Sequence, residues 1–597
     1  MPTMRALRRL LPYYRPYRLR VSAGLLCVVV SSALTSVTPW LLRAAIDGIR
    51  GDAPARTIWT LAGAMIGVAL VAGVLRYGMR ELINGLSRRI EYDLRNDLFA
   101  HLMVLDAGFF GRTRTGDVMA RLTNDLSAVR QAVGPAIMYL TNTVAGGVFA
   151  LYFMLRIDAR LTGLALLPMV ALPIVTLWLG RAIHVRFEAV QEHFSTMTTR
   201  AQENLAGARV VRAYRQERAE LDRFTALNDE YLAKNMQLVR LYGVMNPAFG
   251  LLAGLGAVTV LGVGGMLALR GTITVGAFVA FGLYLGMLTW PLIALGWVVN
   301  LFQRGAASAV RLLEILDETP AIRDPQSPLR LPPVTTGRAV EYRGVGFHYP
   351  PPADAPPRWV LRDISFRIPA GGTLAVVGAT GSGKSALLEL LARVYDPQEG
   401  TILVDGVPIT SLALDELRRE IGFVPQESLL FSETIRENLT YGTDDVASAE
   451  WAAEVAQLDS TIAAFPGGYD TMLGERGINL SGGQKQRAAL ARALARSPSI
   501  VVLDDALSAV DTHTEADILH GLRQALKGRT AIIASHRVTA VRDANWIIVL
   551  DDGRIVEQGK HVDLIAAGGR YWTLLRRQQL EDSIEDKAGM ARGVAAG

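Results

Sequence analysis

A glycine-rich segment carries the residue types that bind phosphate groups. The apolar run GTLAVVG leads into GATGSGKS, which spans Gly378–Ser385 and matches the pattern G-x-x-x-x-G-K-[ST]. Glycines let backbone N–H groups approach phosphate oxygens at a helix start, the lysine adds a positive charge, and the hydroxyl can bind Mg²⁺. We therefore expect a phosphate site formed by Gly378, Thr380, Gly381, Ser382, Gly383, Lys384 and Ser385.

Two adjacent carboxylates follow an apolar run later in the chain. Residues 500–511 are IVVLDDALSAVD, so Asp504 and Asp505 end a strand-like stretch. The first carboxylate is placed to hold the shell of a bound Mg²⁺, and the second to polarise the water that attacks the terminal phosphate. Together with the glycine-rich segment, this pair predicts an ATPase that binds ATP and Mg²⁺.

Two further motifs suit nucleotide binding. Tyr349, in GFHYP, is placed to stack on adenine, although an aromatic residue of the core or of a turn would give the same pattern. In LSGGQKQR, Ser481 is a favourable helix N-cap, and Gly482 and Gly483 expose N–H groups at a helix start. With Gln484, these residues predict a second anion site, which the chain could offer to the nucleotide of a neighbour.

The first half of the chain is too apolar for a soluble protein. Half of all residues are hydrophobic, and the mean hydropathy is +0.25. The basic start precedes an apolar stretch too long for a cleavable signal peptide, and the single cysteine, Cys27, excludes an internal disulfide. A helix of about 20 apolar residues can cross a bilayer. Six uncharged stretches reach about that length: Val21–Leu42, Thr57–Leu75, Gln131–Leu155, Leu161–Gly180, Leu241–Leu269 and Gly271–Gln303.

The connecting loops indicate how these stretches are oriented. Residues 76–130 and 181–240 contain 9 and 10 Lys or Arg, and residues 1–20 contain six Arg. Because basic residues concentrate on the cytoplasmic side, we expect both termini and both long loops in the cytoplasm. Helical periodicity in both loops predicts that the membrane helices continue well below the membrane. Turns near Arg114–Val118 and Gly207–Arg215 would end these extensions.

Pro-containing turns at residues 331–340 mark a change in character. Beyond them, short β-rich runs alternate with helical patterns, which indicates an α/β domain. The predicted fold is a polytopic α-helical membrane domain, with six helices extended into the cytoplasm, fused to an α/β ATP-binding domain. The predicted ranges are 1–325, beginning with a short elbow helix, 338–578, and a flexible tail at 579–597. We expect the chain in the prokaryotic cytoplasmic membrane, with no nucleic acid partner.

These motifs, in this order, resemble those of ATP-binding cassette (ABC) exporters from about residue 5 to about residue 580. The resemblance includes Gln426 in FVPQE, Glu475–Gly477 in LGERG, Ser508–Asp511 in SAVD and His536 in ASHR. It implies two cassettes that meet head to tail, with each ATP between one phosphate loop and the other LSGGQ. It also implies that Gln426 senses Mg²⁺ and the γ-phosphate, that His536 contacts the γ-phosphate, and that Asp511 communicates across the dimer. The two cytoplasmic turns resemble coupling helices.

Asp505 departs from the family pattern, in which this position is Glu. Asp retracts the carboxylate by roughly 1.5 Å, and a misplacement of about 1 Å can lower a rate about 10²-fold. We expect a site that binds ATP but hydrolyses it slowly, as in the degenerate-site subunit of heterodimeric bacterial multidrug exporters. This resemblance implies a second half-transporter as partner, whose active site LSGGQ would complete. His536 is retained, unlike in some degenerate sites, so a homodimer in which Asp505 is a poorer base stays open.

The fifth and sixth stretches give limited information about the substrate. Their aromatic and amide side chains suit a cavity for amphipathic drugs, lipids or hydrophobic peptides, but could equally pack or anchor helices. These residues are Tyr284, Trp290, Trp297, Asn246 and Asn300. ATP-driven export or lipid flipping is the favoured function. An exporter-shaped importer, for example of siderophores, and a regulatory subunit that binds ATP without pumping are the alternatives.

Overall fold

The chain folds into two compact units, which the computed structural model describes over residues 2–334, 336–351, 356–474, 477–538 and 541–580. One unit comprises Met1–Met103 and Gly116–Glu318, and the other comprises Val104–Thr115 and Thr319–Gly597. Most of the tail predicted at 579–597 lies outside the described residues.

The first unit consists of helices joined by short turns and has no β-strand in the part that the structure describes. Three π-helical turns, Arg121–Asp125, Ala132–Ala136 and Val260–Gly264, join helices end to end, and 3₁₀ turns lie at Leu11–Tyr17 and Pro168–Val170. Its helices are α1 (Pro2–Arg9), α2 (Arg18–Arg50), α3 (Ala55–Val104), α5 (Thr115–Ala120), α6 (Leu126–Gln131), α7 (Ile137–Ile157), α8 (Ala159–Leu166), α9 (Ala171–Ala206), α10 (Ala208–Ala213), α11 (Glu217–Thr259), α12 (Gly265–Leu269) and α13 (Val275–Asp317). The helix α4 (Ala107–Arg112), between α3 and α5, belongs to the second unit.

Six helical stretches among the described residues are long and apolar enough to cross a membrane, as predicted. The shortest has 39 residues, which at about 1.5 Å per residue is roughly twice the thickness of a bilayer core of about 30 Å. The predicted extension of the helices beyond the membrane is therefore confirmed. The stretches are Arg5–Arg50, Ala55–Val104, Thr115–Ile157, Pro168–Ala206, Glu217–Leu269 and Val275–Asp317.

One detail of the prediction is wrong. The stretch Leu161–Gly180 is not one helix: α8 ends at Leu166, a 3₁₀ turn begins at Pro168, and α9 then starts. Proline lacks the N–H that a continuous helix needs, so the chain breaks there. The first predicted turn, Arg114–Val118, overlaps the short helix α5, which begins at Thr115. The helix α4 precedes it and is capped by Asp106, which accepts a hydrogen bond from Phe109 N. The second predicted segment, Gly207–Arg215, contains α10.

The aromatic side chains of α13 pack against neighbouring helices. Tyr284 is fully buried, donates a hydrogen bond to Ser36 O at 2.7 Å and stacks on Phe153 with ring centroids 5.4 Å apart. Trp297 meets Tyr139 edge-on at 4.9 Å. Helix packing, the second of the two interpretations above, thus accounts for Tyr284. The side chains of Trp290 and Asn246 lie outside the described residues.

Buried ion pairs connect the long helices of this unit. The Glu91 carboxylate is only 10% exposed and lies within 3.3 Å of guanidinium nitrogens from Arg88, Arg95 and Arg130. Asp125 accepts hydrogen bonds from Arg311 Nε at 2.7 Å and Ser308 Oγ at 2.8 Å. A buried charge is tolerated only when it is paired, so these contacts fix how α3, α6 and α13 meet.

The second unit is an α/β domain with two sheets. An antiparallel sheet has the order β2-β1-β4-β5, and a mostly parallel sheet has the order β10-β9-β3-β8-β7-β6. The strands are β1 (Val340–Phe347), β2 (Leu361–Ile368), β3 (Thr373–Gly378), β4 (Glu399–Val404), β5 (Val407–Pro408), β6 (Ile421–Val424), β7 (Ile500–Asp504), β8 (Thr530–Ser535), β9 (Trp546–Asp551) and β10 (Arg554–Gly559).

The helices of this unit cover the parallel sheet. One apolar core lies between the two sheets around α14, and a second joins the α16–α19 region to β7. Besides α4, the helices are α14 (Lys384–Leu391), α15 (Leu414–Arg419), α16 (Ile435–Leu439), α17 (Val446–Val455), α18 (Asp459–Ala463), α19 (Gly482–Ala495), α20 (Thr512–Ala525) and α21 (His561–Ala567), with 3₁₀ turns at Ile409–Ser411 and Gly468–Asp470. The predicted α/β architecture is confirmed.

Close packing of α13 predicts a cost for one added methyl group. A Cβ on Gly305 would lie 2.2 Å from the Ala132 Cβ and 3.1 Å from the Ala128 carbonyl oxygen. We expect Gly305→Ala to lower the Tm of the full chain in detergent, because overpacking costs roughly 1–3 kcal/mol. Gly282→Ala, on the same helix with nothing within 4 Å of the added Cβ, is the matched control. Equal Tm values for the two variants would contradict the packing.

Candidate ATP-binding site

Adjacent parallel strands bring the predicted site residues to one edge of the sheet. The phosphate loop starts at Gly378, the last residue of β3, and His536 follows β8. Asp504 ends β7, and Gln426 follows β6. These strands lie side by side in the order β3-β8-β7-β6 and run parallel, so their carboxyl ends meet. Open α/β sheets bind ligands at this edge.

The site is a cavity of about 320 Å³ within the second unit. Two predicted residues, Gly378 and Ser382, lie behind its wall: a Cβ on Gly378 would be 2.6 Å from Ser382 Oγ and 2.4 Å from Leu550 O. Gly378 thus permits a close approach of backbone to side chain. Ten other predicted residues line the cavity: Tyr349, Thr380, Gly381, Gly383, Lys384, Ser385, Gln426, Asp504, Asp505 and His536.

The phosphate loop has the backbone geometry that its glycines predict. Gly381 and Gly383 have φ of 83° and 103°, values that L side chains rarely adopt, and α14 starts directly after Gly383. Lys384 Nζ donates to the carbonyl oxygens of Gly378 and Ala379 at 2.9 and 3.0 Å. Burial lowers the pKa of Lys384, and the nearby aspartates oppose this shift. The ammonium is therefore held over the loop, where phosphate oxygens can accept hydrogen bonds from it.

Asp504 faces the same cavity and is 4% exposed. Burial raises the pKa of its carboxyl, while a hydrogen bond from Ser385 and the charge of Lys384 lower it. A carboxylate and a hydroxyl in direct contact are hard oxygen donors, the ligand type that Mg²⁺ prefers. The donor set of Asp504 and Ser385 therefore fits a magnesium ion.

Asp505 is held tightly by its neighbours. Its backbone adopts φ of 49°, and its N–H donates to Ala534 O at 2.9 Å. His536 Nδ1 lies 2.8 Å from Oδ1 and 2.7 Å from Oδ2 of the carboxylate. An ionised carboxylate only accepts hydrogen bonds, so Nδ1 carries the proton and donates. The imidazole thus occupies both oxygens of the group that would polarise water.

Tyr349 belongs to an aromatic and acidic cluster beside the loop. Its ring is 40% exposed, packs edge-on against Tyr395 at 5.3 Å, and its hydroxyl donates to Glu389 Oε2 at 3.3 Å. Burial raises the pKa of both Tyr349 and Glu389. The half-exposed ring can stack on a base. Sequence reasoning missed Glu389 and Tyr395, because no motif marks them and only the fold brings them to Tyr349.

The LSGGQ residues do not line this cavity. Ser481 caps α19 by accepting from Gln484 N at 3.3 Å, and Gln484 Oε1 accepts from Ser481 N at 2.8 Å. A Cβ on Gly483 would lie 2.6 Å from Ala509 O, so this glycine allows α19 to approach the SAVD segment. Gly482 starts the helix. Ser481, Gly482, Gly483 and Gln484 thus form a separate helix start, as the second anion site requires.

Gln486, a residue of the LSGGQKQR motif for which no role is predicted above, connects LSGGQ to SAVD. Gln486 is 6% exposed; its Nε2 donates to Ser508 Oγ at 2.9 Å, and its Oε1 accepts from Ala509 N at 2.9 Å. Asp511, at the end of SAVD, caps α20 by accepting from Thr514 N at 3.0 Å. Two residues of the LGERG motif, Glu475 and Arg476, lie outside the described residues.

The phosphate loop predicts a large effect of one methyl group. A Cβ on Gly383 would meet Leu361 Cδ2 at 2.7 Å and Val360 O at 3.1 Å, at a strained φ of 103°. We expect Gly383→Ala to weaken ATP binding by at least about tenfold, measured by equilibrium titration. The control is Gly406→Ala, with φ of 81° and nothing within 4 Å, which repeats a left-handed backbone away from the loop. Equal affinities in both variants would contradict the assignment.

Comparisons with known proteins agree with this architecture. A family profile described as ABC transporter transmembrane region matches residues 21–292, and one described as ABC transporter matches residues 361–508. The chain is similar to a solved structure of a bacterial Atm1-family ABC exporter with ATP bound, with 30% identity and a TM-score of 0.75. That match covers 94% of this chain and 98% of the other.

Sequence relatives match over almost the whole chain. The probable multidrug resistance ABC transporter ATP-binding/permease protein YheI of Bacillus subtilis is 36% identical, covering 98% of this chain and 99% of the relative. The multidrug resistance-like ATP-binding protein MdlA of Escherichia coli is 36% identical with 98% of each covered. The ATP-dependent lipid A-core flippase of Syntrophus aciditrophicus is 34% identical, and the match covers 98% of this chain and 96% of the relative. The chain therefore belongs to the ABC transporter family, as a multi-pass protein of the cytoplasmic membrane whose cytoplasmic ATPase domain is coupled to transport.

Proposed function

We propose that this chain is one half of a heterodimeric ABC exporter and carries the degenerate ATP site of the pair. The observation that carries this proposal is Asp505, the residue after Asp504 where the family has Glu. The side chain is one methylene short, and His536 Nδ1 lies within 2.8 Å of both of its oxygens. ATP binds at this site and is hydrolysed slowly.

The contact with His536 supports slow hydrolysis and gives a reason for the presence of this histidine. A general base must reach the proton of the attacking water at about 2.6–3.2 Å, and the short side chain is held back against the imidazole. The same contact gives the retained histidine a role in a site of low activity. It orients the Asp505 carboxylate, so that retention of His536 is compatible with a degenerate site.

Bound Mg²⁺ would neutralise negative charge on the β- and γ-phosphates. Ser385 and Asp504 would hold the ion, and Gln426, which lines the same cavity, would detect the ion and the γ-phosphate. Lys384 would donate to phosphate oxygens in place of the Gly378 and Ala379 carbonyls, and Tyr349 would stack on adenine. These groups do not depend on Asp505, which is why binding persists where hydrolysis is slow.

The helix start at Ser481–Gln484 would complete the site of the partner. It lies away from the chain's own cavity, and its backbone N–H groups together with the positive end of the helix dipole favour an anion. A head-to-tail partner, with Glu at the position of Asp505, would place its γ-phosphate there. Asp511 and the SAVD segment, held by Gln486, would communicate between the two sites.

Export of amphipathic compounds is the transport function we propose. The relatives named above include multidrug resistance proteins and a lipid A-core flippase, which favours hydrophobic or amphipathic substrates and membrane lipids. ATP binding would close the cassettes, and α4 and α10 would transmit this closure to the membrane helices as coupling helices. We assign residues 1–325 to the membrane domain and 338–578 to the cassette.

Lengthening the base should restore hydrolysis. Asp505→Glu returns the missing methylene, and we expect the ATPase rate of the lone full-length chain to rise, by up to about 10²-fold. Asp505→Asn, the isosteric control, should leave both ATP affinity and the low basal rate nearly unchanged. Robust turnover by the unaltered lone chain, abolished in Asp505→Asn, would instead establish the homodimer with a functional Asp base.

The two motifs of this chain should affect the heterodimer unequally. Gly482→Asp places a negative charge where the partner's γ-phosphate would bind, and we expect at least a tenfold loss of ATPase in the purified pair. Asp505→Asn in the same pair should change turnover by less than about twofold, because most hydrolysis occurs at the partner's site. Equal losses from both variants would show two equivalent sites and refute the asymmetry.

A further inference from the structure

A polar pocket lies among the membrane helices of the first unit. The helices α2, α3, α7 and α13 enclose about 310 Å³. Its lining combines hydroxyl, amide and guanidinium groups, and it contains no Asp or Glu. The polar lining comprises Ser31, Ser32, Thr35, Arg76, Arg80 and Asn142, together with Ser36.

The pocket lies within the thickness of the membrane. Six crossings put residue 1 on the same side as the ATPase domain, so Arg50, the end of α2, is on the outer side. Thr35 is 15 residues before that end, which at 1.5 Å per residue is about 22 Å from it. A bilayer core is about 30 Å thick, so the serine and threonine cluster lies at membrane depth.

Two arginines enter this pocket without a carboxylate partner. Arg76 Nη2 donates to Thr35 Oγ1 at 3.2 Å, and Arg80 lies one turn further along α3. In the part of the chain that the structure describes, neither side chain takes part in an ion pair. Arg76 lies 21 residues after Ala55, the outer start of α3, which is about 31 Å along the helix, so the two charges enter the pocket from the cytoplasmic edge of the bilayer core.

The hydroxyl groups of α2 donate their protons to backbone carbonyls of the same helix. Thr35 Oγ1 donates to Ser31 O at 2.8 Å while it accepts from Arg76, so its orientation is fixed. The single proton of Ser32 Oγ is donated to Val28 O at 2.8 Å, and the Asn142 amide lies 3.2 Å from the same Oγ. The guanidinium groups of Arg76 and Arg80 are therefore the cationic donors of a pocket whose lining contains no carboxylate.

An apolar surface borders these donors. Met79, Met138 and Met287 line the same pocket, and methionine side chains adapt to ligands of varied shape. A molecule that fits both parts has an acidic group joined to an apolar body.

We propose that this pocket binds the acidic group, a phosphate or a carboxylate, of an amphipathic anion, and that such anions are the substrates of the chain. The substrate role rests on the export function proposed above, whereas binding does not. Arg76 and Arg80 neutralise the acid, and the methionines cover the start of the apolar body.

Equilibrium binding to the full-length chain in phosphatidylcholine nanodiscs, without ATP, tests this. The probes are radiolabelled oleoyl lysophosphatidic acid and oleoyl lysophosphatidylcholine, which share one acyl chain and differ in headgroup charge. We expect the acid to bind at least about tenfold more tightly, and Arg76→Gln or Arg80→Gln to weaken it by about tenfold each. Arg56→Gln, at the outer end of α3, is the matched control and should change nothing. Arg76→Lys keeps the charge and should retain most of the affinity.

A soluble acid, radiolabelled cholate, forms a second arm that separates lipid from non-lipid sources of the same chemistry. Arginine-dependent binding of either acid supports the pocket and identifies the source. Equal affinity for both lysolipids, or an unchanged preference in the double Arg76→Gln, Arg80→Gln variant with an unaltered Tm, overturns it. If binding depends on the arginines but the purified pair does not transport the acid, export is refuted and the pocket stands. If the pair transports the acid equally well without either arginine, the pocket is refuted and export stands.

Discussion

The side-by-side arrangement of parallel strands in the ATPase unit is the constraint on which the catalytic site depends. The strands β3, β8, β7 and β6 are buried, apolar and parallel, so their carboxyl ends can only meet at one edge. The phosphate loop, the histidine, the aspartates and the glutamine are far apart in the chain, but each directly follows one of these strands. A slip of one strand would move its functional group out of reach, which ties the chemistry to the register of the sheet.

This constraint also clarifies why Asp505 and His536 interact. They follow β7 and β8, which are hydrogen-bonded neighbours, and Asp505 N is bonded to Ala534 O beside the end of β8. The positions are set by the backbone, so the length of the side chain decides what the carboxylate contacts. The aspartate lies against the imidazole. In the function proposed above, this pair would keep nucleotide bound for longer than a site with Glu at this position, and the two halves of the transporter would divide holding and hydrolysis between them.

The sequence predicted those parts of the structure that local chemistry determines. The residue types of Gly381, Gly383 and Lys384 were enough to predict the backbone and the charge of the phosphate loop. The uncharged stretches were enough to predict six long helices. The break at Pro168 was missed because hydropathy averages over a helix interruption, although the proline itself was a signal. The hydropathy pattern places Arg76 in the cytoplasmic loop after the second apolar stretch, because such a pattern stops at the first charge. Its contact with Thr35 depends on how α2 and α3 pack, and the sequence of either helix alone cannot show it.

Gln486 has a consequence for the design of hybrid transporters. Its amide nitrogen donates to Ser508 Oγ, and its amide oxygen accepts from Ala509 N. This one side chain therefore joins α19 to the SAVD segment by two hydrogen bonds. A buried amide left without partners costs about 1–3 kcal/mol. Segments 480–487 and 508–511 therefore behave as one cassette module: grafted together between chains they keep their mutual fit, whereas either segment grafted alone would lose it.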